Sequence, residues 1–247
     1  MLPDFICIGT AKACTTWLHF GLKEHPEVFV PQNIKELHYF NKPENLKKGI
    51  GWYESFFRGS ENMVRGEVTP NYCGMTEKSI RHMKEILPDA KIILILREPI
   101  ERVWSDAMMW KVDKAKRKLE DVSDRDFYNH FASPLCSSLT QYVNILDNWF
   151  SIYGANKMFV LTVDEVKADS LGTMKRVCDF IGVSTEIDWE KTNCSKAVYP
   201  SFAEPTKWEK KVDEKPRIRP IPRVLYAHLK AKYEPMVEEM RKKNTLK

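Results

Sequence analysis

Directly after the apolar run Phe5 to Ile8, residues 9–17 read Gly-Thr-Ala-Lys-Ala-Cys-Thr-Thr-Trp. A strand that runs into a tight loop with a lysine, and then into hydroxyls that open a helix, is an arrangement that binds phosphate. Loop amides and the positive end of the helix face the anion, and Lys12 adds a compact charge. The spacing is not GxxxxGK[ST]: Lys12 does not directly precede the hydroxyl, and the second glycine is missing. A second group, Arg97-Glu98-Pro99-Ile100-Glu101-Arg102-Val103-Trp104-Ser105, begins where the most apolar stretch of the chain ends. Ligands of open α/β sheets bind at the carboxyl ends of strands, so Arg97 stands at such an edge. Ser105, about two helical turns on, can fork a second phosphate with it. A third group, Lys35-Glu36-Leu37-His38-Tyr39-Phe40-Asn41, holds a carboxylate and an imidazole either of which can take a proton. From spacing alone, Glu36 reads as a surface carboxylate and His38 as a structural histidine.

These residues need elements to position them. Phe5 to Ile8, Val64 to Val68, Lys91 to Leu96 and Met158 to Val163 read as strands; the continuous apolarity of 91–96 predicts burial on both faces of a parallel sheet. Helical spacing covers 15–23, 79–87, 100–111, 139–153, 171–181 and 224–241, and Gly182 marks a C-terminal stop. Strands alternating with helices predict a single α/β domain over 1–247, a three-layer α/β/α with a central parallel sheet. Residues 184–222 carry Pro200, Pro205, Pro216, Pro220 and Pro222 and read as loop-rich. Trp17, Trp104, Trp149 and Tyr142 read as core, and Trp52, Tyr53, Phe56 and Phe57 as packing.

Composition narrows the partners. The chain has 247 residues, 43% hydrophobic and 30% charged, which excludes collagen-like, low-complexity and disordered classes. The longest aliphatic run, Ile92 to Leu96, is far short of the roughly 20 residues of a membrane span. A net charge of +5 favours an anionic ligand, and its spread argues against nucleic acid. The basic clusters at 111–118 and 207–223 read as solvated surface. No CxxC pair suggests zinc among the six cysteines. Reduced thiols in a cytoplasmic protein are the expectation, with Cys178 and Cys194 able to bridge in an oxidising compartment, as in a Golgi-lumen catalytic domain separated from its anchor.

Taken together, GTxKxxTTWL, a buried strand and R-x-P-x-x-R-x-x-S resemble the sulfotransferases that use 3′-phosphoadenosine 5′-phosphosulfate (PAPS), which have a P-loop-like fold. The resemblance covers most of the chain. It implies that the loop Lys12-Ala13-Cys14-Thr15-Thr16 holds the 5′-phosphosulfate and that Arg97 and Ser105 hold the 3′-phosphate. Lys35 to Asn41 is similar to the KE-x-H-F-F segment of heparan-sulfate-type members, where the glutamate is the proposed base. Glu67 to Tyr72 and Ser195 to Pro200 also resemble that subgroup; the latter implies that Lys196 closes over the donor. The sequence departs from the pattern at Ala13-Cys14, where the family usually has Ser-Gly or Thr-Gly, and at Val68, which replaces a lysine. The implied activity is in-line sulfuryl transfer to a hydroxyl, or to an amine, of a carbohydrate or small-molecule acceptor. Lys12 steadies the leaving phosphate, Glu36 or His38 is the base, and no metal is required. A P-loop-like nucleotide kinase and a non-catalytic binder of the nucleotide are the alternatives; magnesium dependence and absence of transfer, respectively, distinguish them.

Overall fold

Alternation along one strand divides the interior in two. In β4 (Lys91–Leu96), Ile92, Leu94 and Leu96 join one apolar cluster while Ile93 and Ile95 join another. β1 (Phe5–Gly9) splits the same way, with Ile6 and Ile8 on one side and Phe5 and Cys7 on the other. Side chains of a strand point alternately to opposite faces, so a strand apolar at every position demands cover on both. The computed structural model describes residues 1–192 and 220–243. Its sheet adds β2 (Val28–Phe29), β3 (Val64–Val68) and β5 (Met158–Thr162), all pairs parallel, in the order β2-β3-β1-β4-β5.

Helices cover both faces. α1 (Thr15–Lys23) packs Trp17, Leu18 and Leu22 on the Phe5 side. The opposite face takes α2 (Pro43–Leu46), α3 (Ile50–Glu54) and α4 (Glu77–Ile86), through Leu46, Tyr53, Ile80 and Met83. After β4 come α5 (Pro99–Met108), which runs into a π-helical turn at Met109–Asp113, then α6 (Asp124–Phe131) and α7 (Pro134–Ser138). α8 (Tyr142–Tyr153) returns to the Ile6 face with Ile145, Leu146 and Trp149. α9 (Val163–Ala168) and α10 (Ser170–Ile181) close the Phe5 face with Val166, Met174 and Val177. α11 (Arg223–Lys242) packs Leu225, Leu229 and Tyr233 against α5 and α6. Each fully buried Ile or Leu contributes roughly 1.5–3 kcal/mol of apolar burial. Among the described residues, no helix is long and apolar enough to cross a membrane.

Local chemistry sets the ends. Pro99 opens α5 with Glu98 as its cap, accepting from the Glu101 amide at 2.7 Å. Gly182 closes α10 at φ 87°, the left-handed conformation a side chain resists. The sheet stays close to the segment after β3, because a Cβ on Gly9 would lie 2.4 Å from the Pro70 carbonyl oxygen. The chain leaves β1 toward β3 and β2 but leaves β4 toward β5. The crevice of such a sheet opens between those two strands, and residues 10–14 and Arg97 emerge there.

The sequence-predicted strands and the long helices are present. The helix predicted from 139 begins at Tyr142, and the one predicted over 100–111 passes into the π turn. Trp17, Trp104, Trp149 and Tyr142 are core, as expected. Cys178 is buried; Cys194 and Lys196 lie outside the described residues.

Candidate active site

The loop after β1 is pinned to β4. The Thr10 amide and hydroxyl both donate to the Ile95 carbonyl, at 2.8 and 3.2 Å. Lys12 at φ 71° and Cys14 at φ 56° then turn the chain through left-handed conformations, which non-glycine residues adopt at a cost of about 1–2 kcal/mol. Cys14 takes the position where the family pattern has glycine, and it adopts a left-handed conformation that glycine tolerates best. Ala13 turns its methyl into the core and donates its amide to the Thr10 carbonyl, so it shapes the turn. Cys14 caps α1 without a side-chain bond; burial pushes its thiol up to about 11. The first-turn amides of α1, with the hydroxyls of Thr15 and Thr16, form the open positive end of that helix.

Lys35 and Arg97 bond to this helix end and its loop, and the Lys12 ammonium lies 3.8 Å from Met109 Sδ beyond α5. Lys12 is pushed down to about 7, chiefly by burial, with Arg97 and Lys35 acting the same way and Asp106 and Asp113 opposing. The Lys35 ammonium donates to Thr15 Oγ1 at 3.2 Å and to Thr16 Oγ1 at 3.1 Å. The Arg97 guanidinium donates to the Lys12 carbonyl at 3.1 Å. A cluster of positive charge around a helix N-terminus, with a lysine whose proton is loosely held, is the electrostatics of an anion site.

The proton-handling groups adjoin it. Glu36 Oε1 lies 3.4 Å from Lys35 Nζ and Glu36 Oε2 lies 3.2 Å from His38 Nε2. Burial pulls the Glu36 carboxyl up, but the His38 hydrogen bond and the Lys35 charge outweigh it and hold it below the usual carboxylate value. His38 sits at φ 53°, with Nδ1 3.1 Å from Asn41 Oδ1. The segment carrying both residues is tied down by its own backbone. The Leu37 amide donates to Thr69 Oγ1 at 3.1 Å, and the Tyr39 and Phe40 amides donate to the Tyr72 hydroxyl at 2.8 and 3.3 Å. Asn45 Nδ2 donates to the Leu37 and His38 carbonyls at 3.1 and 3.4 Å.

Arg97 and Ser105 share one stripe. Arg97 Nε and Nη2 each donate to Glu101 Oε2 at 3.2 Å, and Ser105 is one further turn along that face of α5. The Tyr142 hydroxyl donates to the Arg97 carbonyl at 2.8 Å, so Tyr142 fixes the strand end from below. The fold thus links Thr15, Thr16, Lys35, Glu36 and His38 in one group and ties Arg97 to the adjoining loop through the Lys12 carbonyl, while the Lys12 ammonium reaches Met109. Lys35 is the bridge between the helix hydroxyls and Glu36. Its place beside Glu36 in the segment was the available signal.

Known proteins share this arrangement's sequence and fold. Residues 2–219 match the family described as "Sulfotransferase domain". The chain is 26% identical over 209 residues to bifunctional heparan sulfate N-deacetylase/N-sulfotransferase 4 of Mus musculus, an alignment covering 77% of this chain and 23% of that protein. It therefore spans about a quarter of the length of the curated relatives it matches. Among solved structures, a sulfotransferase from Alicyclobacillus acidocaldarius superposes with a TM-score of 0.70 at 21% identity, covering 95% of this chain and 92% of that one. Mouse sulfotransferase SULT7A1, solved in complex with PAP, superposes with a TM-score of 0.55 at 13% identity, covering 80% and 65%. With most of its length inside the family match, this chain belongs to the sulfotransferase domain family.

Proposed function

We propose that residues 1–247 act as one catalytic domain that transfers a sulfuryl group from PAPS to a hydroxyl or amine of a carbohydrate acceptor. The observation that carries this reading is a continuous chain of groups at the sheet edge: the Thr15 and Thr16 hydroxyls, the Lys35 ammonium, the Glu36 carboxylate and the His38 ring. It joins an anion site to a base at bonding distance. The residues fit the donor: Lys12 is half-buried and pushed down to about 7, chiefly by burial, and a bound anion would favour its charged form.

When bound, the donor supplies a sulfuryl group activated on phosphate. Lys12, Thr15, Thr16 and the first amides of α1 bind its 5′ end, and Arg97 with Ser105 binds the 3′-phosphate. Lys12 would neutralise the negative charge that collects on a departing phosphate, the role in which fixed charge accelerates such a reaction. Glu36, held ionised, takes the acceptor proton; His38, on its other oxygen, orients it and is the alternative base. Lys35 aligns the base with the α1 hydroxyls. The names of the curated relatives favour a heparan-type sugar amine as the first acceptor to try.

Calorimetry with 3′,5′-adenosine bisphosphate (PAP), compared with ATP plus magnesium, tests the donor class. Transfer from PAPS to de-N-sulfated heparan sulfate and to its N-acetylated form then tests the acceptor. PAP binding that is lost in Arg97→Ala, with sulfate incorporated, supports the reading. A preference for ATP with magnesium makes the protein a kinase, and PAP binding without transfer to any acceptor makes it a binder.

A further inference from the structure

Glu67 is a carboxylate with no exposed surface, on the penultimate position of β3 and paired in register with Ile6. It faces the apolar cluster, between residues that are themselves fully buried. Two hydroxyls donate to it. Tyr53, from α3, donates to Oε1 through a very short bond, and Thr69 donates to Oε2 at 2.8 Å. The Tyr72 hydroxyl adjoins the carboxyl and favours its charged form. Thr69 and Tyr72 also hold backbone. Thr69 Oγ1 accepts the Leu37 amide, and the Tyr72 oxygen accepts the amides of Tyr39 and Phe40.

A hydroxyl has one proton to give. Once the Thr69 proton is committed to Glu67, the Thr69 lone pairs are left for the Leu37 amide. The carboxylate therefore fixes which way that hydroxyl points and, with the adjoining Tyr72 oxygen holding the Tyr39 and Phe40 amides, the backbone on both sides of His38. An amide side chain at 67 would supply donors of its own and turn at least one hydroxyl around. A carboxylate buried without partners for its lone pairs is strongly disfavoured, and here the Tyr53 and Thr69 hydroxyls supply them.

We propose that Glu67 is a positioning residue for the proposed transfer reaction, setting the Glu36–His38 segment through the hydroxyls of Thr69 and Tyr72. It does not touch the acceptor, since it is fully enclosed. Burial pushes its carboxyl up to about 7 against the pull of the three hydroxyls and the His38 ring, so it is ionised at pH 8. The role rests on the sulfotransferase reading for its catalytic consequence but not for its structural one.

The test compares wild type with Glu67→Gln, Thr69→Val and Thr69→Ser at pH 8. Amide hydrogen exchange across 35–41 is measured beside exchange across 9–16, with PAP affinity and sulfate transfer to the acceptor found for the wild type. The expected result is exchange at least about tenfold faster at Leu37, Tyr39 and Phe40 in Glu67→Gln, and at Leu37 in Thr69→Val. Exchange at 9–16 and PAP affinity stay within about twofold, kcat falls about 10- to 100-fold with the donor KM little changed, and Thr69→Ser recovers both protection and rate. If Glu67→Gln does not fold, the Thr69 pair alone decides. Unchanged exchange over 35–41, or loss of protection spread equally over 9–16, overturns the positioning role. Failure of wild type to bind PAP overturns the sulfotransferase reading instead, and leaves the exchange comparison as the measure of the Glu67 network.

Discussion

The Arg97 guanidinium donates to the carbonyl oxygen of Lys12 at 3.1 Å, joining residues 85 positions apart. The two motifs proposed to bind the donor's anionic groups are thus one unit. Arg97 steadies the left-handed turn that presents Lys12, while its other nitrogens hold Glu101 on the stripe that leads to Ser105. An ammonium has the charge but not the fork to do both. Arg97→Lys is therefore expected to weaken PAP binding nearly as much as Arg97→Ala, by about 10- to 100-fold, on the order of 2 kcal/mol. Calorimetry on the two variants checks this, and near-native binding by Arg97→Lys would show that charge alone suffices.

Lys12 predicts a proton linkage. Free, it sits at about 7, below its ordinary value of 10.5, so at pH 8 it is mostly neutral. A bound anion favours the charged form and raises the value again. PAP binding at pH 8 should then take up close to one proton, and affinity should fall as pH rises above 7. Calorimetry in buffers of different ionisation enthalpy measures the uptake, which should vanish in Lys12→Ala along with transfer.

Glu36 predicts a separation of binding from turnover. Glu36→Gln should lower kcat by about 100-fold or more while PAP affinity stays within about twofold, because the proposed role of the carboxylate is to take the acceptor's proton. Lys35→Gln removes a charge that helps hold Glu36 below its usual value, so the acidic limb of the rate profile should move to higher pH. A pH–rate profile of both variants is the measurement. Full activity in Glu36→Gln would transfer the role to His38.

His130 predicts a pH-dependent contribution to stability. Its Nε2 lies 3.0 Å from Asp106 Oδ2, and both side chains are nearly enclosed, with Cys136 alongside. Burial pulls the imidazolium down, but the bond and charge of Asp106 outweigh it and raise His130 to about 9 from 6.5. A folded value above the unfolded one gives stability that is complete below about pH 6.5 and lost as pH rises through 9. His130→Asn should cost on the order of 3 kcal/mol at pH 6 and much less at pH 10. Urea unfolding at the two pH values checks it, and an equal loss at both would mean that packing, not charge, is what the ring supplies.

The sequence alone determined the layers and the chemistry of the edge. Lys91–Leu96 and Thr15–Lys23 have the bounds that their apolar spacing predicts, because each is a strong periodic signal set by burial. The short helices α2, α3 and α7 were not legible: four or five residues hold too few periods to show one face. The turn at Cys14 shows the other limit, since a left-handed conformation at a cysteine is imposed by the loop's attachment to Ile95 and not by local preference. Only tertiary structure decided which charges meet. Lys35 and Thr15 are 20 residues apart, and Glu67 reaches the Leu37 amide through Thr69, contacts that exist because β1 and β3 lie side by side. Hydrogen bonds act over about 3 Å, and a chain's periodicity carries no record of which distant residues the sheet will bring within that range.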